Sequence, residues 1–405
     1  MGQNVSQSLL DILADAGARD IFGVTGDALN SFLEAIRTDD RFRWIGVRHE
    51  EHAGYAAYAQ SEITGSIGVC AGTTGPGALH LINGLYNAKK EGGAVVAITG
   101  QVPRAQRGSD SHKEINLNKM FDDICDYQVS IETPSQMPRM AEIAVQKALS
   151  ERCIVRIEIP HDIIEQDVPS QHFKHPLVHS RSAILAPDAE IAKAAELLNG
   201  GKRVAIFAGV GCRECPEAVL ALSEKLKAPI VHTLRAKDIF DYGEGNVVGM
   251  TGLIGNPPGY HAIWDCDVLL MLGTDFPYDE FIPDGRPIIQ VDRDVCHIGR
   301  RAPVSLGLIG TAKETLEKLL PAVDGGRSEK FLNHLAAMRD KWLAQMDDQA
   351  SLSRTDEPLH PQLFTKVISE KASEDAFFGV DVGECTVWVA RHLRMKGGRR
   401  MAGSF

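Results

Sequence analysis

The sequence predicts an α/β chain, with two doubly wound parallel-sheet domains and the start of a third. Three observations carry this. Short apolar runs alternate with helical patterns from Asp20 to Ile159. The alternation lapses over a polar stretch at 166–188, which holds three Pro and three His. It then restarts at Ile191, as expected when parallel strands are covered by helices on both faces.

The elements follow in order. Asn4 can cap a helix carrying Leu9, Leu10, Ile12 and Leu13, which Gly17 ends. Strands are expected at Asp20–Val24, Trp44–Val47, Ser66–Ala71, Ala94–Thr99 and Ile154–Ile159. Helices are expected at Ala28–Ile36, Glu50–Glu62 and Ala78–Ala88. The second unit reads as helix 189–199, strand Val204–Ala208, helix Pro216–Leu226 and strand Pro229–His232. Strands Val268–Leu272 and Pro287–Val291 and a helix at Ala312–Leu320 complete it. A polar helix and a loop occupy 324–360. Helix Pro361–Lys371 and strand Ala376–Val380 then open a third unit. One strand makes no sheet, so this unit is expected to be incomplete or to pack onto something else. The domains are therefore placed at 1–165, 189–325 and 361–405, with linkers at 166–188 and 326–360.

Composition narrows the function. The 405 residues carry 43 Lys and Arg against 54 Asp and Glu, a net charge of −11. That balance disfavours binding to a nucleic-acid backbone, which needs a basic face. Hydrophobic residues at 44% and charged residues at 24% are those of a globular protein. No apolar run reaches the roughly 18 residues of a membrane span, and the N-terminus reads as a helix rather than a signal peptide. A cytosolic location is expected. The eight cysteines are scattered, mostly in apolar contexts, and read as buried free thiols. Cys212 and Cys215 form one CxxC. A zinc site usually wants a second pair, so metal or redox use is the lesser reading.

Ligands of such folds bind at the carboxyl ends of the strands. The turns at Thr25, Gly26 and Asp27, at Arg48–Glu50, and at Thr73–Gly77 all lie there, and Thr73 and Gly75 join the first turn as candidate cofactor contacts. Glu50 follows a strand and opens an Ala-rich helix. Buried there, its protonated form would be favoured by desolvation, which suits a general acid or base. It also suits a plain helix N-terminus, which prefers acidic residues, and both readings stand. His49 and His52 do not form HExxH and have no identifiable third ligand, so no metal ligand is assigned. Gly209-Val210-Gly211 follows a strand, and Asp292 ends one. The pair raises a nucleotide-like cofactor, although Glu214 stands where a dinucleotide fingerprint has its third glycine.

These residues extend into a resemblance that covers nearly the whole chain. GVTGD (23–27), VRHEEHAGYAA (47–57), VCAGTTGPGALHLINGLYNA (69–88) and VVAITG (95–100) resemble the pyrimidine-binding domain of thiamine-diphosphate enzymes. APIVHTLRAK (228–237), VGMTGLIG (248–255), LLMLGTDFPY (269–278) and IIQVD (288–292) resemble the central domain of the FAD-containing branch, the pyruvate oxidases and quinone-linked pyruvate dehydrogenases. DVGECTVWVARHL (381–393) resembles the opening of the pyrophosphate-binding domain. The resemblance implies that Glu50 hydrogen-bonds N1′ of the aminopyrimidine and so helps remove the proton from C2 of the thiazolium. It implies FAD contacts at Thr251, Gly252, Leu253 and Ile254, at Gly273, Thr274, Asp275, Phe276 and Pro277, and at Asp292. Gly209 and Gly211 join them as cofactor contacts.

Three departures shape the expected function. No GDG, the motif that holds Mg²⁺ and the diphosphate in this family, occurs in the chain. The chain is therefore expected to be truncated, with the Mg²⁺ ligands in a missing third domain. His112-Lys113-Glu114 stands where relatives carry Phe-Gln-Glu beside the substrate, which places His112 and Lys113 in the substrate pocket and puts pyruvate itself in question. Thr311 follows Gly310 where many relatives have Asp. The expected function is oxidative decarboxylation of pyruvate or a similar 2-oxo acid with thiamine diphosphate and FAD. The electron acceptor would be a quinone, and the enzyme a homo-oligomer, dimer or tetramer, peripheral at the membrane in a longer form. The alternatives are a carboligase of the acetolactate synthase kind and a remnant without catalysis.

Overall fold

Asn4 caps α1 (Val5–Asp15) through a capping box with Gln7, and the segment behind it builds the first sheet. The computed structural model describes residues 2–169, 177–178, 183–243, 245–353 and 358–404. The chain divides into two units, Met1–Arg181 and Ser182–Phe405.

In the first unit, β1 (Asp20–Gly23) leads through a 3-10 turn at Asp27–Leu29 into α2 (Asn30–Arg37). β2 (Arg43–Gly46), α3 (Glu50–Thr64), β3 (Gly68–Gly72), α4 (Pro76–Lys90) and β4 (Val95–Gln101) follow. α5 (Leu117–Met120), β5 (Tyr127–Ser130), α6 (Met137–Glu151) and β6 (Ile154–Pro160) complete it. The six strands are parallel in the order β2-β1-β3-β4-β6-β5. Alternation along each strand splits the core. Val69, Ala71, Val96 and Ile98 face one helix layer, and Cys70, Val95 and Ala97 the other.

Two elements here escape the sequence pattern. β5 is a half-buried edge strand with Gln128 and Ser130 in it, and α6 begins near two prolines that read as loop. The helix expected from Ala28 opens instead as a 3-10 turn, and Pro76 and Gly77 belong to α4 because proline is preorganised for the first helical turn. The stretch that reads as a linker from 166 starts tied down. Asn4 and Asp167 form an antiparallel bridge, and the Val168 N–H donates to the Gln3 carbonyl at 2.8 Å. Residues 170–176 and 179–182 of it lie outside the described residues.

The second unit repeats the plan with α7 (Asp188–Gly200), β7 (Val204–Ala208), α8 (Pro216–Leu226), β8 (Ile230–His232), β9 (Val247–Met250) and α9 (Pro257–Asp265). β10 (Val268–Leu272), β11 (Ile288–Asp292), β12 (Leu306–Ile309) and α10 (Ala312–Ala322) follow. Its parallel order is β12-β11-β10-β7-β8-β9. The sequence reading missed β9, α9 and β12. β9 and β12 are four-residue edge strands with a glycine each, and α9 begins at Pro257-Pro258. α11 (Lys330–Gln349) is the polar helix expected after 324, and it lays Leu335 into the core of this sheet.

α12 (Pro361–Lys371), β13 (Phe377–Val380), α13 (Glu384–His392) and β14 (Arg400–Gly403) close the described chain within this second unit. The expectation of a single strand here is corrected, because β14 pairs in parallel with β13 from Phe377↔Arg400 to Val380↔Gly403. Gly397-Gly398-Arg399-Arg400 disguises β14 as loop. Arg399 is in fact buried and donates to the carbonyls of Ser369, Ala372, Ser373 and Arg394. The thiols also need correction, since Cys296 in a 3-10 turn and Cys385 at the start of α13 are exposed and Cys153 is half-buried. No helix among the described residues is long and apolar enough to cross a membrane.

Each sheet reverses its strand order beside its first strand. In the first, β1 leads outward to β2 and the chain returns to β3 on the other side. In the second, β7 leads to β8 and β9 and the chain returns to β10. A crevice at the carboxyl ends is expected at each reversal.

Candidate active site

Glu50 is the first residue of α3, and His49 caps the helix with its ring, accepting from the Glu51 N–H at 3.4 Å. The carboxylate stands at the positive end of the helix dipole. It is nonetheless only 7% exposed. Its Oε2 is hydrogen-bonded to Nδ1 of His80 at 2.9 Å. That contact follows from backbone packing. A Cβ on Gly54 would lie 2.9 Å from the Cα of Gly84, so only paired glycines let α3 and α4 approach this closely. The approach brings the first turn of α3 beside the second turn of α4. The His49 ring then stacks on His80 with centroids 4.3 Å apart. The other oxygen, Oε1, faces Gly77, where a Cβ would come within 3.0 Å of it.

The loops of the crevice meet at the reversal between β1 and β3. A Cβ on Gly26 would collide with Thr73, which fixes the turn at Thr25–Asp27 against the loop at Thr73–Gly75. Thr73 Oγ1 and Thr74 Oγ1 are buried with no hydrogen-bond partner. Buried hydroxyls are ordinarily satisfied, so this pair marks a place where a polar ligand fits. Lys113 covers the loop from the far side. Its carbonyl packs on Gly75, its Nζ lies 3.7 Å from Asp27 Oδ1, and its φ of 68° is in the left-handed region. Such backbone in a non-glycine residue costs about 1–3 kcal/mol and persists where surrounding structure imposes it. Here Glu114 imposes it, accepting from the N–H groups of Gly108 and Ser111, and those bonds hold its carboxyl below the usual range. The structure thus gathers Thr25, Gly26, Asp27, Glu50, Thr73, Gly75 and Lys113 at one crevice. His112 is exposed on the same loop. Sequence reasoning missed His80 and Thr74. The helical spacing from Gly77 was the available signal for His80.

His49, Glu50 and His80 present ligand atoms within 4.8 Å of one another, so the third partner of His49 is His80 and not His52. The hydrogen bond and the ring stack already account for this cluster. Its nitrogen-rich character does not suit Mg²⁺, which takes oxygen ligands, and no other group of three appears among the described residues.

The crevice of the second unit is built differently. Gly209 and Gly211 donate to the carbonyls of Leu272 and Gly273 at 2.9 and 3.1 Å. A Cβ on Gly209 would lie 2.2 Å from the Gly273 oxygen, and one on Gly211 2.7 Å from the Gly273 Cα. Two loops therefore touch backbone to backbone. Around them, Thr233 Oγ1, Thr251 Oγ1 and His232 Nε2 are buried without partners. Phe276 stands edge-on to Phe207 and covers Gly252, while Thr274 is buried and Leu253 is 67% exposed. Asp275 is taken up by Arg300 and Arg301, and Asp292 by His297 Nδ1 at 3.3 Å and the Asp294 N–H at 2.9 Å. Those two carboxylates have less free capacity than the sequence implies. The three orphaned polar atoms fit a polar, nucleotide-like ligand. His232 and Thr233, at the end of β8, were not foreseen.

Comparison with known proteins agrees with this layout. The N-terminal thiamine pyrophosphate-binding domain of thiamine pyrophosphate enzymes matches residues 3–128, and their central domain matches 191–319. The chain is 34% identical over 394 residues to the Bacillus subtilis protein YdaP, which its name describes as thiamine pyrophosphate-containing. The match covers 97% of this chain and 68% of YdaP. Pyruvate oxidase of Lactiplantibacillus plantarum is 28% identical over 396 residues, covering 96% of this chain and 65% of its own. An acetolactate synthase of Mycobacterium bovis is 28% identical over 404 residues, covering 96% and 65%.

Proposed function

The chain belongs to the thiamine pyrophosphate enzymes, and from that premise we propose that it serves the oxidative decarboxylation of a small 2-oxo acid with thiamine diphosphate and FAD. The observation that carries the reading is Glu50, a carboxylate sheltered from water, held on one oxygen by His80 and open on the other toward Gly77. Thiamine diphosphate, when bound, supplies the carbon that attacks the keto group and holds the electrons left by CO₂. The protein's part is positional. Glu50 holds a proton at N1′ of the aminopyrimidine, and His80 fixes the orientation of Glu50. Thr73 and Thr74 offer the hydroxyls that have no partner within the chain. Lys113 and His112 stand where the carboxylate of the substrate enters. In the second unit the hydroxyls of Thr233 and Thr251 and the His232 ring, which have no partner within the chain, would meet the flavin, beside the loops that Gly209, Gly211 and Gly273 let close on each other.

The test is turnover of a 2-oxo acid with reduction of an artificial acceptor, or of a quinone. CO₂ release matched by acceptor reduction and abolished by Glu50→Gln supports the reading. The carboligase reading draws on the acetolactate synthase relative. CO₂ release with a new carbon–carbon bond in the product and no acceptor reduction would favour it. Binding of neither cofactor would favour a chain without catalysis.

A further inference from the structure

Cys212 and Cys215 take no part in the function proposed above. The segment around them is built tightly. β7 ends at Ala208, Gly209 and Gly211 lock onto Leu272 and Gly273, and α8 begins at Pro216 with Cys215 as its cap residue. The Cys215 N–H donates to the Cys212 carbonyl at 3.0 Å, closing a four-residue turn. Such a turn brings its end Cα atoms within about 7 Å, and a disulfide needs about 4.4–6.8 Å. The Cys212 sulfur also lies 3.5 Å from the Leu272 carbonyl, which holds it in place. Cys212 is 0% exposed and Cys215 5%.

Helix polarity separates their roles. Cys215 caps an eleven-residue helix, whose N–H groups favour a thiolate. The neighbouring Cys212 sulfhydryl pushes the Cys215 thiol down, against burial and the carboxylates of Glu214, Glu314 and Glu217, and Cys215 and burial push the Cys212 thiol up. Burial pushes Cys125 and Cys153 up to about 12 and Cys266 up to about 11.

We propose that Cys212 and Cys215 form a redox-active dithiol at the reversal between β7 and β10, closed to a disulfide by a peroxide and reopened by a small dithiol. The Cys215 thiolate attacks one peroxide oxygen, and the other leaves as water after taking a proton. The Cys212 sulfur then attacks the Cys215 sulfenic acid, forms the S–S bond and releases a second water. Two thiols are oxidised by two electrons, and one hydrogen peroxide is reduced to two waters. The closed form braces the Gly209–Gly211 loop. Only that consequence for a bound flavin rests on the function proposed above; the disulfide itself does not.

The experiment uses the full chain with Cys296→Ser and Cys385→Ser, which removes the exposed thiols. The reduced protein is treated with one equivalent of hydrogen peroxide, alkylated under denaturing conditions, digested with trypsin and mapped by mass. Trypsin cuts after Arg213, so the disulfide holds two peptides together. The expected result is that linked pair, two mass units lighter than the sum of its parts, in at least half of the molecules, with both thiols restored by dithiothreitol. Cys212→Ser should instead trap a sulfenic acid at Cys215 that dimedone labels. Full alkylation of both cysteines after peroxide would overturn the proposal, as would zinc co-purifying on the pair. Flavin affinity is read separately on the same oxidised sample, so a chain that binds no flavin leaves the disulfide result intact.

Discussion

Both six-stranded sheets reverse their strand order, between β1 and β3 in the first unit and between β7 and β10 in the second, the place where such folds bind ligands at the strand carboxyl ends. The first is lined with groups that carry protons: Glu50, His80, His49, Asp27 and Lys113. The second is lined with backbone and hydroxyls, and its carboxylates are engaged by neighbours, Asp275 by two arginines and Asp292 by the His297 ring and the Asp294 N–H. One topology therefore offers two kinds of surface. The chemistry resides in what the loops carry, as expected for a fold that hosts many functions. The first reversal gathers titratable side chains, and the second gathers backbone and hydroxyls.

The largest effect should come from closing the second crevice alone. Gly211→Val places side-chain carbons where the Gly273 Cα already lies 2.7 Å from an added Cβ. FAD affinity is expected to fall more than about 100-fold by titration, the cost of a clash worth roughly 3 kcal/mol. Thiamine diphosphate affinity should not change. Equal loss of both ligands would show that the two crevices are not separable in this way.

Acid should find the second unit first. Burial, followed by the nearby Lys237 ammonium, pushes His232 down to about 4 from 6.5. Between those values the unfolded chain binds the proton that the folded chain refuses. Stability is therefore full above pH 6.5 and falls as pH drops toward 4, by about 3 kcal/mol in all. Chemical denaturation at pH 7 and pH 4.5 measures this, and His232→Gln should flatten the slope. His392, also pushed down to about 4, contributes with the same sign. An unchanged slope in the variant would assign the acid sensitivity elsewhere.

Specificity belongs to the first crevice. His112→Phe with Lys113→Gln should raise kcat/KM for pyruvate relative to larger or more anionic 2-oxo acids by about tenfold. No change in that ratio would remove both residues from the substrate path. The smallest effect is expected for Thr251→Val, which keeps the shape and deletes an unpartnered hydroxyl. Flavin should bind about fivefold more weakly, the worth of one hydrogen bond of about 1 kcal/mol.

The sequence disclosed the two crevices unequally. Glu50, the glycine turns and the strand ends could be read because each combines an apolar run with a polar break. β5, β9 and β12 could not, because edge strands are short and need only half an apolar face. β14 was hidden by Arg399, which donates to backbone carbonyls, and Arg400, which donates to the Asp238 carboxylate, contacts that no pattern predicts. His80 was hidden too, since its role depends on how closely Gly54 lets α4 approach, a tertiary fact. The free capacity of Asp275 and Asp292 was overrated for the same reason. Arg300 and Arg301 reach Asp275 from a different loop, and His297 folds back on Asp292 from five residues downstream.

The central claim is that the sheltered carboxyl of residue 50 governs proton removal from bound thiamine diphosphate. It is tested most directly by the rate of hydrogen–deuterium exchange at the thiazolium C2, followed by proton NMR in the wild-type chain and in Glu50→Gln. The account predicts that the wild type accelerates exchange over free cofactor and that the variant loses at least about 100-fold of the rate, the usual span of general acid–base assistance. Exchange in the variant as fast as in the wild type, with cofactor bound in both, would contradict it.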